Sequence, residues 1–317
     1  MDDWSSLNRH PSVLTTFINK LGVQGCEIEE VYNLENLEDS KHVFGIVLIY
    51  SWSPNPIKES LFEDPDLCIM STLDPKLSVQ QGILTVLLNS EANIGPELSK
   101  FRNLVLPLSP KLRSVAMHNS AFIRTCNNTC TSSEKDLHFF TCFFPKKGKV
   151  VEVDGLACGP NYFGEGSEDD WLERTKHVLQ EKLTIFSEYE VKFSILAVIN
   201  NKIEVSENTL KTVEKQIAAI KKKTGGKVPD YDLEYYEGLP DDRQVLSSEM
   251  ANKEELKAHH ENTIKVEKEK NVNWAEENLR RKHDFTPFIL SVLQKLHEKH
   301  QLTPLLEQAM KKKLSLS

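Results

Sequence analysis

A layered α/β or α+β domain is the fold class that this chain predicts, and three observations lead there. Residues 44–52, FGIVLIYSW, are a continuous apolar run closed by a Ser-Pro-Asn-Pro turn signal, the pattern of a strand buried on both faces. Three further strand-like runs, at 138–144, 149–153 and 192–199, alternate with helical periodicities. Beyond Asn201 the apolar content thins and charge takes over, so the layered domain is expected to span residues 1–201.

Taken in order, residues 11–21 read as a helix, with Pro11 near its start, Val13, Leu14, Phe17, Ile18 and Leu21 on one stripe, and Gly22 just past its end. Asp74 and Pro75 supply an N-cap and a first-position proline for a second helix that buries Ile83, Val86 and Leu87 and holds Ser78 in its first turn. Residues 113–124 are expected to be helical, and 127–135, rich in Asn, Thr and Ser, to form an exposed loop. An amphipathic helix over 169–186 separates the last two strands, its start favoured by Asp169 and Asp170.

Ser206 is read as the cap of a helix bearing Leu210, Val213, Ile217 and Ile220, and residues 227–242, with their prolines and acids, as a flexible linker. This gives a second segment, 202–245. The third, 246–317, begins with a highly charged stretch whose helix would be solvated or lean on a partner. It ends in two proline-opened helices, one bearing Phe288, Ile289, Val292, Leu293 and Leu296, the other Leu305, Leu306 and Met310. Those apolar faces either dock another protein or pack back on the domain.

The formal charge of −8 and pI near 5.8 argue against nucleic acid as the main partner. No apolar run reaches the roughly 18 residues of a membrane span, and the opening MDDWSSLNRHPS lacks the pattern of a signal peptide. The cytosol and nucleus are the expected locations. The six cysteines contain no CxxC pair, so free buried thiols are expected, and no metal or other cofactor is. Cys126, Cys130 and His138 match no usual zinc spacing.

Candidate chemistry centres on His138, at the start of one strand, and Asp154, at the end of the next. If these strands are antiparallel neighbours, the carboxylate could hold the imidazole in one tautomer, as a nucleophile-activating histidine requires. A lone His and an Asp-Gly turn are more often structural. The pair gains weight from its surroundings: DLHFF at 136–140, GKVVEVDGL at 148–156, GP at 159–160, EDDW at 168–171 and SEYEVKFSILAVI at 187–199. Together with HNSAFIR at 118–124, these resemble the ubiquitin C-terminal hydrolase family, and ENLRRKHDFTPFI at 277–289 with QLTPLLEQA at 301–309 is similar to the C-terminal extension of its proteasome-associated members. The resemblance runs from about residue 11 to residue 313. It implies a papain-like fold with a central, mainly antiparallel sheet flanked by helices, followed by a helical extension. It also implies ubiquitin as a partner, a proteasome adaptor subunit bound through residues 277–313, and a related chromatin-remodelling subunit.

In the family a cysteine sits near the N-terminus of the helix after the apolar strand, and an upstream glutamine donates to the oxyanion. Matching back from VLLN at 86–89 puts Ser78 at the nucleophile and Thr72 at the oxyanion position. Cys68, ten positions upstream, is read as core. A serine hydroxyl is far too weak an acid to be stored as an alkoxide, and a serine triad depends on oxyanion donors worth on the order of a hundredfold each. The segment between Arg124 and Asp136, where the family's crossover loop lies, is short here, and LDPKL at 73–77 replaces an asparagine-rich run. The resemblance therefore implies a homologue with impaired or lost thiol protease activity that acts by binding. Two alternatives stay open: an active deubiquitinase using Ser78, His138 and Asp154, and an interaction protein that has lost ubiquitin affinity.

Overall fold

The computed structural model describes residues 4–36, 42–53, 64–130, 137–157, 159–165, 170–226, 228 and 233–314. Six strands, β1 (Cys26–Glu30), β2 (Val43–Tyr50), β3 (Phe139–Lys146), β4 (Lys149–Asp154), β5 (Asn161–Glu165) and β6 (Phe193–Asn200), form one sheet. Their order is β1-β6-β2-β3-β4-β5, and every neighbouring pair is antiparallel. The run at 44–52 becomes the central β2, between β6 and β3, where continuous hydrophobicity serves two covered faces.

The period-2 alternation of strand side chains divides the core in two. Val47, Ile49, Phe140, Cys142, Val153, Leu196 and Val198 face a cluster built with helices α1 (Pro11–Lys20) and α2 (Ser78–Asn89). Ile46, Leu48, Tyr50, Phe143, Ile195 and Ala197 face the opposite cluster, closed by Trp171, Leu172, Leu179 and Phe186. These last four belong to α6 (Trp171–Glu188). Helices α3 (Gly95–Val105), α4 (Pro110–Asn119) and α5 (Ala121–Asn128) add Leu98, Met117 and Ile123 to the first cluster.

Helix α2 is buried along its whole length. Ile83, Val86 and Leu87 each contribute roughly 2 kcal/mol by leaving water. Its close approach to the sheet requires glycine at one point: a Cβ on Gly82 would stand 2.7 Å from Val47 Cγ1 and 3.1 Å from Phe140 Cδ2.

Several boundaries differ from the sequence expectation. The second helix opens as a 3₁₀ turn, Pro75–Leu77, with Asp74 accepting from Lys76 N at 2.9 Å, and Ser78 is the first residue of α2 proper. The helix expected over 113–124 is two helices broken at Ser120, whose backbone is extended and whose hydroxyl caps α5 by accepting from Ile123 N. Asn127, placed in an exposed loop by its polarity, lies in α5 and is fully buried, accepting from Gln80 Nε2 at 2.8 Å. The rest of that expected loop, from residue 131, falls outside the described residues. The cap of α7 (Lys202–Lys223) is Asn201, which accepts from Ile203 N and Glu204 N, and Ser206 is buried one turn inside.

Within 227–242 the described part includes a short helix, α8 (Leu233–Glu237). The charged stretch then forms one 40-residue helix, α9 (Arg243–Lys282). It leans on α7 and β1 through ion pairs: Lys257 with Glu214 at 2.7 Å, Lys268 with Glu207 at 3.4 Å and Lys270 with the buried Glu27 at 3.6 Å.

The chain divides into two compact units, residues 1–275 and 276–317. The second contains α10 (Thr286–Glu298) and α11 (Leu302–Leu314). Phe288, Ile289, Val292 and Leu293, the predicted apolar stripe of α10, are exposed, and α10 has no buried residue.

Candidate active site

Four chain segments converge at the N-terminus of α2. The buried segment Leu67, Cys68, Ile69, Met70 leads to Thr72 and is held by backbone recognition. Arg113 of α4 donates to the carbonyls of Leu67 at 2.7 Å, Val105 at 3.1 Å and Leu106 at 2.6 Å. Ser114 donates to Ser71 O at 2.7 Å, and Gln81 Nε2, one turn into α2, donates to the same carbonyl at 3.2 Å. Thr72 N donates to Gly155 O at 2.6 Å, fastening this segment to the end of β4. His138 N donates to Pro75 O at 3.4 Å, fastening the start of β3 to the turn that precedes Ser78. All four predicted site residues, Thr72, Ser78, His138 and Asp154, thus sit on segments that the backbone ties to one another or that adjoin such a tie.

Ser78 occupies the first turn of α2, where the helix dipole favours negative charge. It is fully buried, and among the described residues neither its Oγ nor Thr72 Oγ1 has a hydrogen-bond partner. Gly155 faces this point closely: a Cβ there would stand 2.4 Å from Thr72 Oγ1 and 2.5 Å from Phe140 Cε1. Gln81 was not singled out from the sequence, and Gly155 only as the partner of Asp154 in an Asp-Gly turn. The Asp-Gly pair was the one available signal for the glycine.

The antiparallel neighbour relation expected of β3 and β4 is present, and its register places the aspartate. Asp154 is paired with Thr141, and Thr141 with Leu48, so the three share the α6 face of the sheet. His138 stands just before the first residue of β3 and is buried. Asp154 Oδ1 accepts from Leu156 N at 2.9 Å and from Tyr50 Oη at 3.4 Å. Burial pushes the Asp154 carboxyl above its usual value, with the Leu156 N–H and the Lys182 ammonium opposing. Burial, followed by the nearby Asp154 charge, pushes the Tyr50 phenol up as well.

Among the described residues every cysteine is buried. Cys68, expected to be core, is fully buried, its N–H donates to Asn89 Oδ1 at 2.8 Å, and burial pushes its thiol up to about 11. Burial also raises Cys26, to about 12, and raises Cys126 and Cys142. Cys158 lies outside the described residues.

A helix N-terminus held against a β-hairpin, with Ser78, His138 and Asp154 on or beside those elements, is the arrangement that the papain-like fold class calls for. The sequence pattern of the ubiquitin carboxyl-terminal hydrolase family 1 matches residues 4–184, and a second pattern, of the C-terminal region of ubiquitin carboxyl-terminal hydrolases, matches 258–302. The chain belongs to the ubiquitin carboxyl-terminal hydrolase family. It is 31% identical to the ubiquitin carboxyl-terminal hydrolase isozyme L5 of Dictyostelium discoideum, over 97% of this chain and 95% of that protein. It is 24% identical to ubiquitin carboxyl-terminal hydrolase ubh-4 of Caenorhabditis elegans, over 99% of this chain and 94% of the relative. The catalytic domain of Trichinella spiralis UCH37, solved bound to ubiquitin vinyl methyl ester, is 25% identical with a TM-score of 0.56, covering 63% of this chain and 97% of that one.

Proposed function

We propose that this chain binds ubiquitin as its hydrolase relatives do, while its own hydrolytic activity is lost or strongly reduced. The observation that carries this reading is Ser78 at the first position of α2, fully buried, with its Oγ unpartnered among the described residues. An alcohol is activated only by a base within hydrogen-bond reach and by oxyanion donors aimed at the reacting carbonyl. Thr72, at the oxyanion position, offers one short hydroxyl, packed against Gly155. A thiolate would exploit the helix dipole, and no described cysteine stands there.

Ubiquitin binding is supported by the family membership and by the ubiquitin adduct of the Trichinella spiralis relative. The exposed stripe on α10, within the match to the family's C-terminal region, supports docking of a proteasome adaptor subunit. The chromatin-remodelling subunit that the sequence resemblance implies is a further candidate partner for the same stripe. Both assignments fit a protein of the cytosol and nucleus.

Incubation of the purified protein with a fluorogenic ubiquitin C-terminal substrate tests the reading. No turnover is expected, together with saturable ubiquitin binding in the micromolar range, about −8 kcal/mol. Turnover at an ordinary enzymatic rate that Ser78→Ala abolishes would establish the active deubiquitinase instead. Absence of ubiquitin binding would leave a pure interaction protein.

A further inference from the structure

We propose that Glu27 of β1 is a proton-operated latch for α9: the helix is seated on the sheet edge while this carboxyl carries a proton, and is loosened around Lys270 when it ionises. The proposal goes beyond the hydrolase reading and does not depend on it.

A count of charges carries it. Lys270 of α9 brings one ammonium to the joint, and two carboxylates meet it: Glu267, one turn back in the same helix, and Glu27 from the sheet. Glu267 takes the direct contact, while Glu27 Oε1 stands 3.6 Å from Lys270 Nζ. The Glu27 side chain is buried, its Oε2 accepts from Asn201 Nδ2 at 3.1 Å, and its Oε1 has no hydrogen-bond partner among the described residues. A carboxylate buried in that position lacks both a counter-charge of its own and a second donor. The neighbouring cations are engaged elsewhere. Lys202 of α7 pairs with Glu29 at 2.7 Å, and Lys268 of α9 pairs with Glu207 at 3.4 Å. Lys270 is itself held over the Trp274 ring, 4.7 Å from its centre, and the other face of this joint is His10, which meets Trp274 edge-on at 6.4 Å.

Ionised Glu27 thus leaves two carboxylates competing for one ammonium across the contact of β1 with α9, whereas protonated Glu27 leaves one for one. Burial pushes the Glu27 carboxyl up, Lys270 and Lys202 pull it back, and Glu267 and Glu29 add to the rise. A carboxyl raised in the seated state and ordinary in the loosened one favours seating below its ordinary value, and that preference is lost as pH climbs through the raised value. The boundary between the two compact units falls after residue 275, inside α9, so the latch acts on the last turns of the helix that belong to the first unit.

Amide hydrogen exchange of the full chain, followed from acid to mildly alkaline pH with the intrinsic pH dependence divided out, reads the opening of residues 264–275. In the unmodified protein the opening constant is expected to rise about tenfold per pH unit between the ordinary glutamate value and the raised one, then level off. Glu27→Gln keeps the shape of the side chain and cannot ionise, so it is expected to hold α9 at its acid-side protection throughout. Glu267→Gln releases Lys270 to Glu27 and is expected to flatten the profile as well. An opening constant that does not change with pH in the unmodified protein overturns the proposal. So does a rise that survives in Glu27→Gln, which would belong to His10 or another group, or one shared equally by the amides of β2 and α2, which reports unfolding of the whole unit. If Glu27→Gln does not fold, Glu267→Gln carries the test, and a rise that survives in it counts against the latch.

Discussion

A methyl group at position 155 would meet Thr72 Oγ1 at 2.4 Å and Phe140 Cε1 at 2.5 Å, distances that carbon contacts do not tolerate. Neither neighbour is free to yield, because Thr72 is held by its N–H to Gly155 O and Phe140 is buried. Gly155→Ala is therefore expected to destabilise the first unit by about 1–3 kcal/mol, the range of an overpacked core, measured as a shift in the urea midpoint at unchanged slope. The thiols make a second residue-scale expectation. Cys68 and Cys142 are fully buried, and burial raises both thiols. Neither should react with iodoacetamide at neutral pH in the native protein, while both should react in urea; mass spectrometry of the alkylated peptides checks this.

Among the elements, α9 is the one whose attachment depends most on charge. Lys270 approaches Glu27 at 3.6 Å, forms a second ion pair with Glu267, and lies over the Trp274 ring at 4.7 Å, while Trp274 meets His10, the cap of α1, edge-on at 6.4 Å. Lys270→Met is expected to cost about 1–3 kcal/mol, less than the usual penalty for a stranded buried charge because Asn201 still donates to Glu27 Oε2. Burial, only partly offset by Lys270, raises the Glu27 carboxyl above 4.5. A carboxyl raised in the folded state contributes its stability below the unfolded value and loses it as pH rises through the folded value. Urea midpoints of Glu27→Gln and the unmodified protein should therefore diverge in favour of the variant as pH climbs above about 4.5 toward neutrality.

The strands and helices with strong periodicity were legible in the sequence: β2, β3, β4, β6, α1, α2 and α6 lie within a few residues of where their patterns put them. Strands β1 and β5 and helix α3 were not, since CEIEE and NYFGE are short, and GPELSKFRNLV carries a sparse stripe. Asn127 misled because polarity marks a loop only when no buried partner such as Gln80 exists. At the candidate site, the sheet face on which Asp154 lies was not legible in the sequence. The alignment of Asp154 with Thr141 appears only once the β3–β4 register is known, and the reach of Tyr50 to Asp154 runs from β2 to β4.

At the scale of the whole molecule, the chain has two compact units. The first carries the buried candidate site; the second presents Phe288 and Ile289, which are 66% and 52% exposed. Phe288→Ala is accordingly expected to leave the melting temperature unchanged and, under the proposed function, to weaken adaptor binding roughly tenfold or more, about 1.4 kcal/mol. Calorimetry and titration of the adaptor read the two effects separately. Arg113 shows how the first unit could keep its form while its chemistry changed. The guanidinium of Arg113 grips carbonyls of 67–69 and of 105–106, groups that every amino acid possesses. The path of the chain leading to Thr72 is thus anchored without reference to which side chains it bears. Under the proposed function, successive substitutions along it alter what the site does while the clasp continues to put each replacement in its predecessor's place, leaving the architecture as a record of the family's reaction.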